Sequence, residues 1–95
     1  MDGSVDQRRL DEHLQAIRLY LKHHFPEYTI REAWVPSLHH TFTVVNIKLG
    51  KRYRLKVDSR RLSDSTNTPE HTRLALESGD VASGMRQAGD ADYYW

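Results

Sequence analysis

A stretch of alternating apolar and polar residues in the middle of the chain predicts a β-hairpin. The alternation runs through residues 42–49 and again through residues 52–57, with the β-branched and aromatic residues typical of half-buried strands. A three-residue loop over residues 50–52 would pair Leu49 with Tyr53 and place six apolar side chains on one face. A two-residue turn would set apolar against cationic side chains. We therefore expect the three-residue loop.

The chosen register leaves two apolar residues on the solvent-facing side of the hairpin. Phe42 and Val44 are out of phase with Val45, Ile47 and Leu49. A β-bulge near Val44 and Val45 would return Phe42 to the core. The same outer side carries the cations of the second strand, so the sequence predicts a basic outer face.

A helix is predicted before the hairpin, over residues 7–24. Asp6 can cap its first turn, and Pro26 disfavours helical geometry at the preceding residue. Residues 1–5 are expected to be loose. The apolar positions of the helix recur every three or four residues, as on one helical face: Leu10, Leu14, Ile17 and Leu21.

A first strand is predicted over residues 28–35, where Pro36 ends it, and residues 37–40 connect it to the hairpin. The three strands should form an antiparallel meander with the helix across its apolar face. The predicted fold is α+β, in the order α-β-β-β-α. The expected core comprises Leu10, Leu14, Ile17, Leu21, Ile30, Trp34, Val45, Ile47, Leu49, Tyr53, Leu55, Val57 and Leu74.

One or two short helices are predicted after a polar loop at residues 63–67. Thr68 and Pro69 are a typical N-cap and first helical residue. Gly79 suggests a stop, after which Asp80 could cap a second helix that ends at Gly89. A single kinked helix is the alternative.

This element order is similar to that of double-stranded-RNA-binding domains. Their RNA contacts depend on a Lys-rich start to the final helix, which here reads Thr-Pro-Glu-His-Thr-Arg over residues 68–73. The similarity is limited to topology, which does not carry function.

Composition narrows the class of protein. The chain has 95 residues, enough for one small domain over residues 1–95, with residues 1–5 and the loop at 63–67 as candidate flexible segments. It has no Cys, which excludes disulfides and thiolate metal sites. No signal peptide and no apolar run long enough for a membrane span are present. We expect a cytoplasmic protein with no membrane partner.

Charge is unevenly distributed along the chain. The net charge of +1 divides into −1 for residues 1–27, +6 for residues 28–62 and −4 for residues 63–95. A basic sheet and an acidic C-terminal segment could neutralise each other, or the basic face could bind an anionic partner.

The basic outer face is the strongest candidate binding site. Its cations could meet an acidic protein partner, or could neutralise successive phosphates of a nucleic acid. The second hairpin strand, residues 52–57, is expected at the edge of the sheet, and the favoured explanation is that these charges protect that edge from pairing. The candidate residues are Lys48, Arg52, Arg54, Lys56, Arg60 and Arg61.

Other chemistry has less support in the sequence. The adjacent pairs His23-His24 and His39-His40 lack the spacing of metal ligands, and no catalytic motif is present. We expect no cofactor, no metal and no enzymatic activity. Tyr93, Tyr94 and Trp95 could dock into a partner, but packing against the core is the favoured interpretation.

The sequence thus favours a small non-enzymatic interaction or regulatory module, either a monomer or a weak homodimer. An acidic protein is the expected partner and nucleic acid the alternative; a small enzyme is the third hypothesis.

Overall fold

A computed structural model describes residues 3–35, 39–63 and 68–95 of the chain, and side chains within residues 10–34, 39–62 and 68–95. It has the predicted α+β architecture, with an additional fourth strand. The elements are α1 (Gly3–His24), β1 (Thr29–Val35), β2 (His39–Asn46), β3 (Lys51–Asp58), α2 (Ser59–Ser63), α3 (Pro69–Ser78), α4 (Val81–Ala88) and β4 (Asp92–Tyr94).

Helix α1 forms one wall of the core. It ends at His24 as predicted, but it begins at Gly3 rather than at residue 7, so the expected loose segment is helical from Gly3 onward. Ile17 and Leu21 are fully buried against the sheet and the C-terminal helices. The apolar periodicity therefore identified the buried face of α1 correctly.

The four strands lie in the order β1-β2-β3-β4. The first three form the predicted antiparallel meander, whereas β4 pairs with β3 in parallel. Trp95 extends this pairing: its N–H donates to the Lys56 carbonyl at 2.8 Å, and its carbonyl accepts from the Asp58 N–H at 3.0 Å. The expectation that β3 is an edge strand was wrong, because β4 covers it.

The predicted hairpin register was also wrong. Phe42 lies opposite Leu55, and Val44 opposite Tyr53. Phe42 and Val44 are fully buried, although they were expected on the outer face. The residues in the opposite phase leave the core: Val45 is half-buried beside Arg52, Ile47 is 85% exposed and Leu49 is 62% exposed.

Turn chemistry at Asn46 explains the difference. The strand ends at Asn46, whose side-chain oxygen accepts from the Leu49 N–H at 3.0 Å. Gly50 has a φ of 65°, and its N–H donates to the Ile47 carbonyl at 3.2 Å. An Asn-bonded turn with a left-handed glycine therefore takes up residues 47–50, and their apolar side chains belong to the turn instead of the strand.

Two further predicted core residues are exposed. Trp34 is 41% exposed because it lies near the end of β1, an edge strand with a neighbour on one side only. Leu74 is 46% exposed because α3 buries Thr72 and Leu76, and a residue midway between them points away from that face.

The short helix α2 was not predicted. Asp58 starts it by accepting the Arg60 backbone N–H at 2.8 Å, as an N-cap does. Leu62 is buried in the core. Ser63 is the last residue of α2, and the rest of the predicted loop, residues 64–67, lies outside the described residues.

The two-helix interpretation of the C-terminal region is confirmed. Thr68 caps α3 by accepting the His71 N–H at 3.1 Å. Asp80 occupies the N-cap position of α4, but its side chain makes no capping bond. The Tyr20 hydroxyl instead accepts the Ala82 N–H at 2.9 Å, so a side chain of α1 provides a hydrogen-bond partner for a backbone N–H in the first turn of α4.

Gly84→Ala should destabilise the protein because the new methyl would overlap the Tyr93 ring. An ideal Cβ at Gly84 would lie 2.6 Å from Tyr93 Cζ and 2.8 Å from the hydroxyl oxygen. Overpacking outweighs the gain in helix propensity, so we expect a net loss of about 1–2 kcal/mol in urea unfolding. In a Tyr93→Leu background the same change should cost less. Equal costs in both backgrounds would contradict this close approach.

Candidate interaction surface

The outer face of the sheet carries the predicted cations. The inner face buries Phe42, Val44, Leu55 and Val57 beneath the helices, so the alternating residues of β2 and β3 point the other way. The six candidate residues do not form one continuous strip, however, because the C-terminal segment contacts several of them.

Two of the six cations share the carboxylate of Asp92. Arg54 Nε lies 2.6 Å from one Asp92 carboxylate oxygen, and Lys56 Nζ lies 3.5 Å from the other. The first pair is close enough for an ion pair but is not aligned as a hydrogen bond. Arg54 Nη2 also donates to the Asp90 carbonyl at 3.1 Å. The acidic C-terminal segment therefore folds back onto the middle of β3.

Two further cations lie beyond β3 and also have partners. Arg60 Nη2 is 3.1 Å from Asp58 Oδ2. The Arg60 side-chain hydrogen bond lowers the pKa of Asp58 below its ordinary value, and the Arg60 backbone N–H adds to this. The Arg61 guanidinium lies 4.0 Å from the centroid of the Trp95 ring, as a cation–π contact.

The remaining two cations belong to a surface that we call the hairpin tip. Lys48 and Arg52 are exposed, and neither forms an ion pair with any residue that the structure describes. Lys51 adds a third exposed cation. Ile47 and Leu49 project between them, at 85% and 62% exposure. The hairpin tip comprises Ile47, Lys48, Leu49, Lys51 and Arg52.

The aromatic terminus divides between packing and exposure. Tyr93 and Trp95 are half-buried against the core, in line with the favoured interpretation. Tyr94 is 63% exposed on the outer face, with its ring centroid 5.8 Å from that of His39. Only Tyr94 of the three is therefore available to a partner.

A polar cluster that sequence reasoning missed joins α1 to β1 and β2. Glu32 accepts from Arg18 Nε at 2.5 Å and from Arg18 Nη2 at 2.9 Å. It also accepts from Nε2 of the buried His40 at 2.9 Å. The Arg18 hydrogen bond lowers the pKa of Glu32, and the His40 hydrogen bond adds to this against the opposing effect of burial.

This cluster has a structural role at the edge of the sheet. An inward-pointing charge on an edge strand disfavours pairing with another chain, and Glu32 is such a charge on β1. His40 Nδ1 is buried and has no hydrogen-bond partner among the described residues, and the His40 ring lies 5.2 Å from the Trp34 ring and 4.8 Å from the Phe42 ring, centroid to centroid. Within the described ranges, no three His, Asp or Glu side chains come together as a metal-ligand group.

A groove between two helices is the second feature that the sequence did not reveal. It has a volume of about 450 Å³ and runs between α1 and α3. Ala16 and the 57%-exposed Leu19 give it an apolar floor. Charged residues on its rim comprise Glu12, Glu70, Glu77 and Arg73. We call this feature the α1–α3 groove.

The rim of the α1–α3 groove is acidic. Arg73 Nη2 lies 2.5 Å from Glu70 Oε2, and this hydrogen bond lowers the pKa of Glu70. One guanidinium against three carboxylates leaves two negative charges around the groove. The helical spacing of Ala16 and Leu19 could have predicted an exposed apolar stripe on α1. The stripe becomes one side of a groove only because α3 packs beside α1.

Comparisons with known proteins give no relative: no protein-family model, curated sequence or solved structure matches the chain. Of the helices that the structure describes, none combines the length and apolar character needed to span a bilayer.

Glu32→Gln should lower stability at neutral pH and have little effect in acid. A carboxyl whose pKa is lowered by folding stabilises the folded state above its ordinary pKa of about 4.3, and this contribution is lost as the pH falls through the lowered value. We expect urea unfolding at about pH 7 to show a loss of about 1 kcal/mol, and a much smaller loss at about pH 3. Glu27→Gln, at an exposed carboxylate, should change neither measurement. An equal loss at both pH values would contradict the assignment.

Asp92→Asn should free Arg54 and Lys56 at little cost in stability, because partly exposed ion pairs contribute at most about 1 kcal/mol. The binding constant K of labelled single-stranded DNA is measured by anisotropy across a salt series. The slope of log K against log salt should become steeper by about 0.7 for each freed cation that reaches a phosphate. Asp90→Asn is the matched control, since Asp90 contacts Arg54 through its backbone carbonyl. The same slope in all three proteins would contradict masking by Asp92.

Proposed function

We propose that the protein is a non-enzymatic interaction module that binds an acidic protein partner through the basic outer face of its central hairpin. The hairpin tip is the centre of this surface. The observation that carries the proposal is the exposure of Ile47 and Leu49 beside three cations without ion pairs among the described residues.

The hairpin tip combines an exposed apolar pair with neighbouring cations. An isolated exposed aliphatic side chain is common. Here one turn carries two of them, and the neighbouring cations Lys48, Lys51 and Arg52 add charge around this apolar pair, as in an interface with an apolar centre and a polar rim. Burial of one Ile or Leu stabilises a complex by about 1.5–3 kcal/mol. The cations would steer an acidic partner toward the tip and suppress basic partners.

Other cations of the outer face contribute less to this proposal. Arg54 and Lys56 are both paired with Asp92, and Arg61 lies over Trp95. A partner would have to displace these contacts before it could form ion pairs with the same cations. This concentrates the proposed site at the tip, with Lys48 and Arg52 retained from the sequence-predicted residues.

Nucleic-acid binding is the second candidate, and one observation favours it. Arg31 on β1 and Arg54 on β3 both lie opposite Thr43 of β2, so a row with two cations crosses the outer face and ends at Asp92, the partner of Arg54. Such a row could neutralise phosphates without reading sequence. The apolar pair at the tip favours a protein, because phosphate contacts make no use of Ile47 and Leu49.

The two candidates respond differently to loss of the apolar tip residues. The probe is a labelled acidic peptide containing Leu and Phe, with labelled single-stranded DNA in parallel. Ile47→Ser with Leu49→Ser should weaken peptide binding at least about tenfold, since burial of two aliphatic side chains is lost. DNA binding and its salt slope should be unchanged by the same variant.

Two control variants test the roles of the tip cations and of the position of the apolar residues. Lys48→Glu with Arg52→Glu should weaken both probes, whereas Leu74→Ser, at an exposed Leu on α3, should weaken neither. Peptide binding that is insensitive to the apolar variant, together with salt-dependent DNA binding, would overturn the leading proposal in favour of nucleic acid. No binding of either probe would overturn both.

A further inference from the structure

We infer that the α1–α3 groove of one molecule receives the hairpin tip of a second copy of the same chain. This inference rests on the proposed function, because it names the acidic partner of the tip. The observations that carry it are two exposed, unfilled surfaces of one chain whose apolar centres and charges complement each other.

The groove has the shape and surface of a receptor. Its volume of about 450 Å³ is in the range of clefts that hold ligands, roughly 300–1,000 Å³. From Glu12 to His23 it follows α1 for about 16 Å. Leu19 lies on its floor at 57% exposure, which shows that no part of the described chain fills it.

The tip has the matching features of a ligand. Ile47 and Leu49 are large aliphatic side chains of the turn, 85% and 62% exposed. Three cations flank them, against a groove rim with an excess of two negative charges. Docking would therefore place aliphatic side chains against Leu19 and cations beside carboxylates, while Arg73 on the rim stays paired with Glu70.

The two surfaces do not meet within one folded molecule. Asn46, at the base of the tip, reaches the Glu27 carbonyl from its Nδ2 at 3.4 Å, which places the tip beyond the end of α1. The groove follows α1 from Glu12 to His23, between that helix and α3. Leu19 stays 57% exposed and Ile47 stays 85% exposed, so the molecule's own tip does not occupy its groove. A tip therefore has access to the groove of another copy, and the contact joins two different surfaces.

A contact between different surfaces has a definite consequence for assembly. A pair of molecules would retain one free tip and one free groove, so association continues into a chain unless its rotation closes a ring. The contact involves few residues on each side, and contacts of small area are weak. We therefore expect self-association in the concentrated protein and a monomer when it is dilute.

Complementary variants test this arrangement directly. Leu19→Lys blocks the groove and keeps the tip; Ile47→Asp blocks the tip and keeps the groove. Both positions are exposed, so the core is unchanged, and retained NMR dispersion verifies folding. Each variant alone should self-associate at least about tenfold more weakly than the wild-type chain. A mixture of the two should form a complex that stops at one copy of each.

NMR locates the contact. When unlabelled Ile47→Asp is added to ¹⁵N-labelled Leu19→Lys, the shifts should be confined to residues 47–52. With the labels reversed, they should follow the groove residues of α1 and α3. Unlabelled Leu19→Lys added to its own labelled form should give no shifts. Leu74→Lys, which replaces an exposed Leu outside the groove, should associate like the wild-type chain.

The outcomes separate this inference from the proposed function. If the mixed variants give no shifts while the acidic peptide still binds the wild-type tip, self-docking is wrong and the interaction module stands. Shifts at other residues, or a symmetric dimer retained by both variants, would also overturn self-docking. If neither the peptide nor the mixture produces an effect at the tip, both proposals are wrong.

Discussion

The pairing of β2 with β3 in one register is the constraint on which the rest of the structure depends. Side chains alternate between the faces of a strand, so a change of phase would exchange the inner and outer residues of β2. With Phe42 opposite Leu55, the inner face is apolar and packs against Ile17 and Leu21 of α1. The same register leaves Ile47 in the turn and exposed. One pairing register therefore determines both the core and the proposed binding surface.

Closure of the sheet by β4 determines which cations remain available. Main-chain bonds hold the C-terminal segment along β3, and Tyr93 packs over Gly84. That position brings Asp92 to Arg54 and Lys56. The predicted basic strip thereby divides into a middle that is paired with Asp92 and a tip without ion pairs among the described residues. The surface thus carries a basic tip and, elsewhere, an acidic groove.

Two kinds of polar contact have different roles in this fold. The Arg18–Glu32–His40 cluster is partly or fully buried, joins α1 to the sheet and places a charge on the inner side of an edge strand. The carboxylates around the α1–α3 groove lie at the surface, where water screens them and they contribute little to stability. Groups of the first kind define the fold, and groups of the second kind are available for recognition.

The sequence by itself determined the elements whose signals are local. Periodic apolar residues identified α1, and Thr68, Gly79 and Gly89 marked the helix ends correctly, because capping acts within a few residues. It also predicted the outward cations of β3, including Lys56. The tertiary structure alone decided the β2–β3 register, the addition of β4, the Glu32 cluster and the α1–α3 groove. Each of these brings together residues far apart in the chain, where pairing depends on packing and closure that no local pattern encodes.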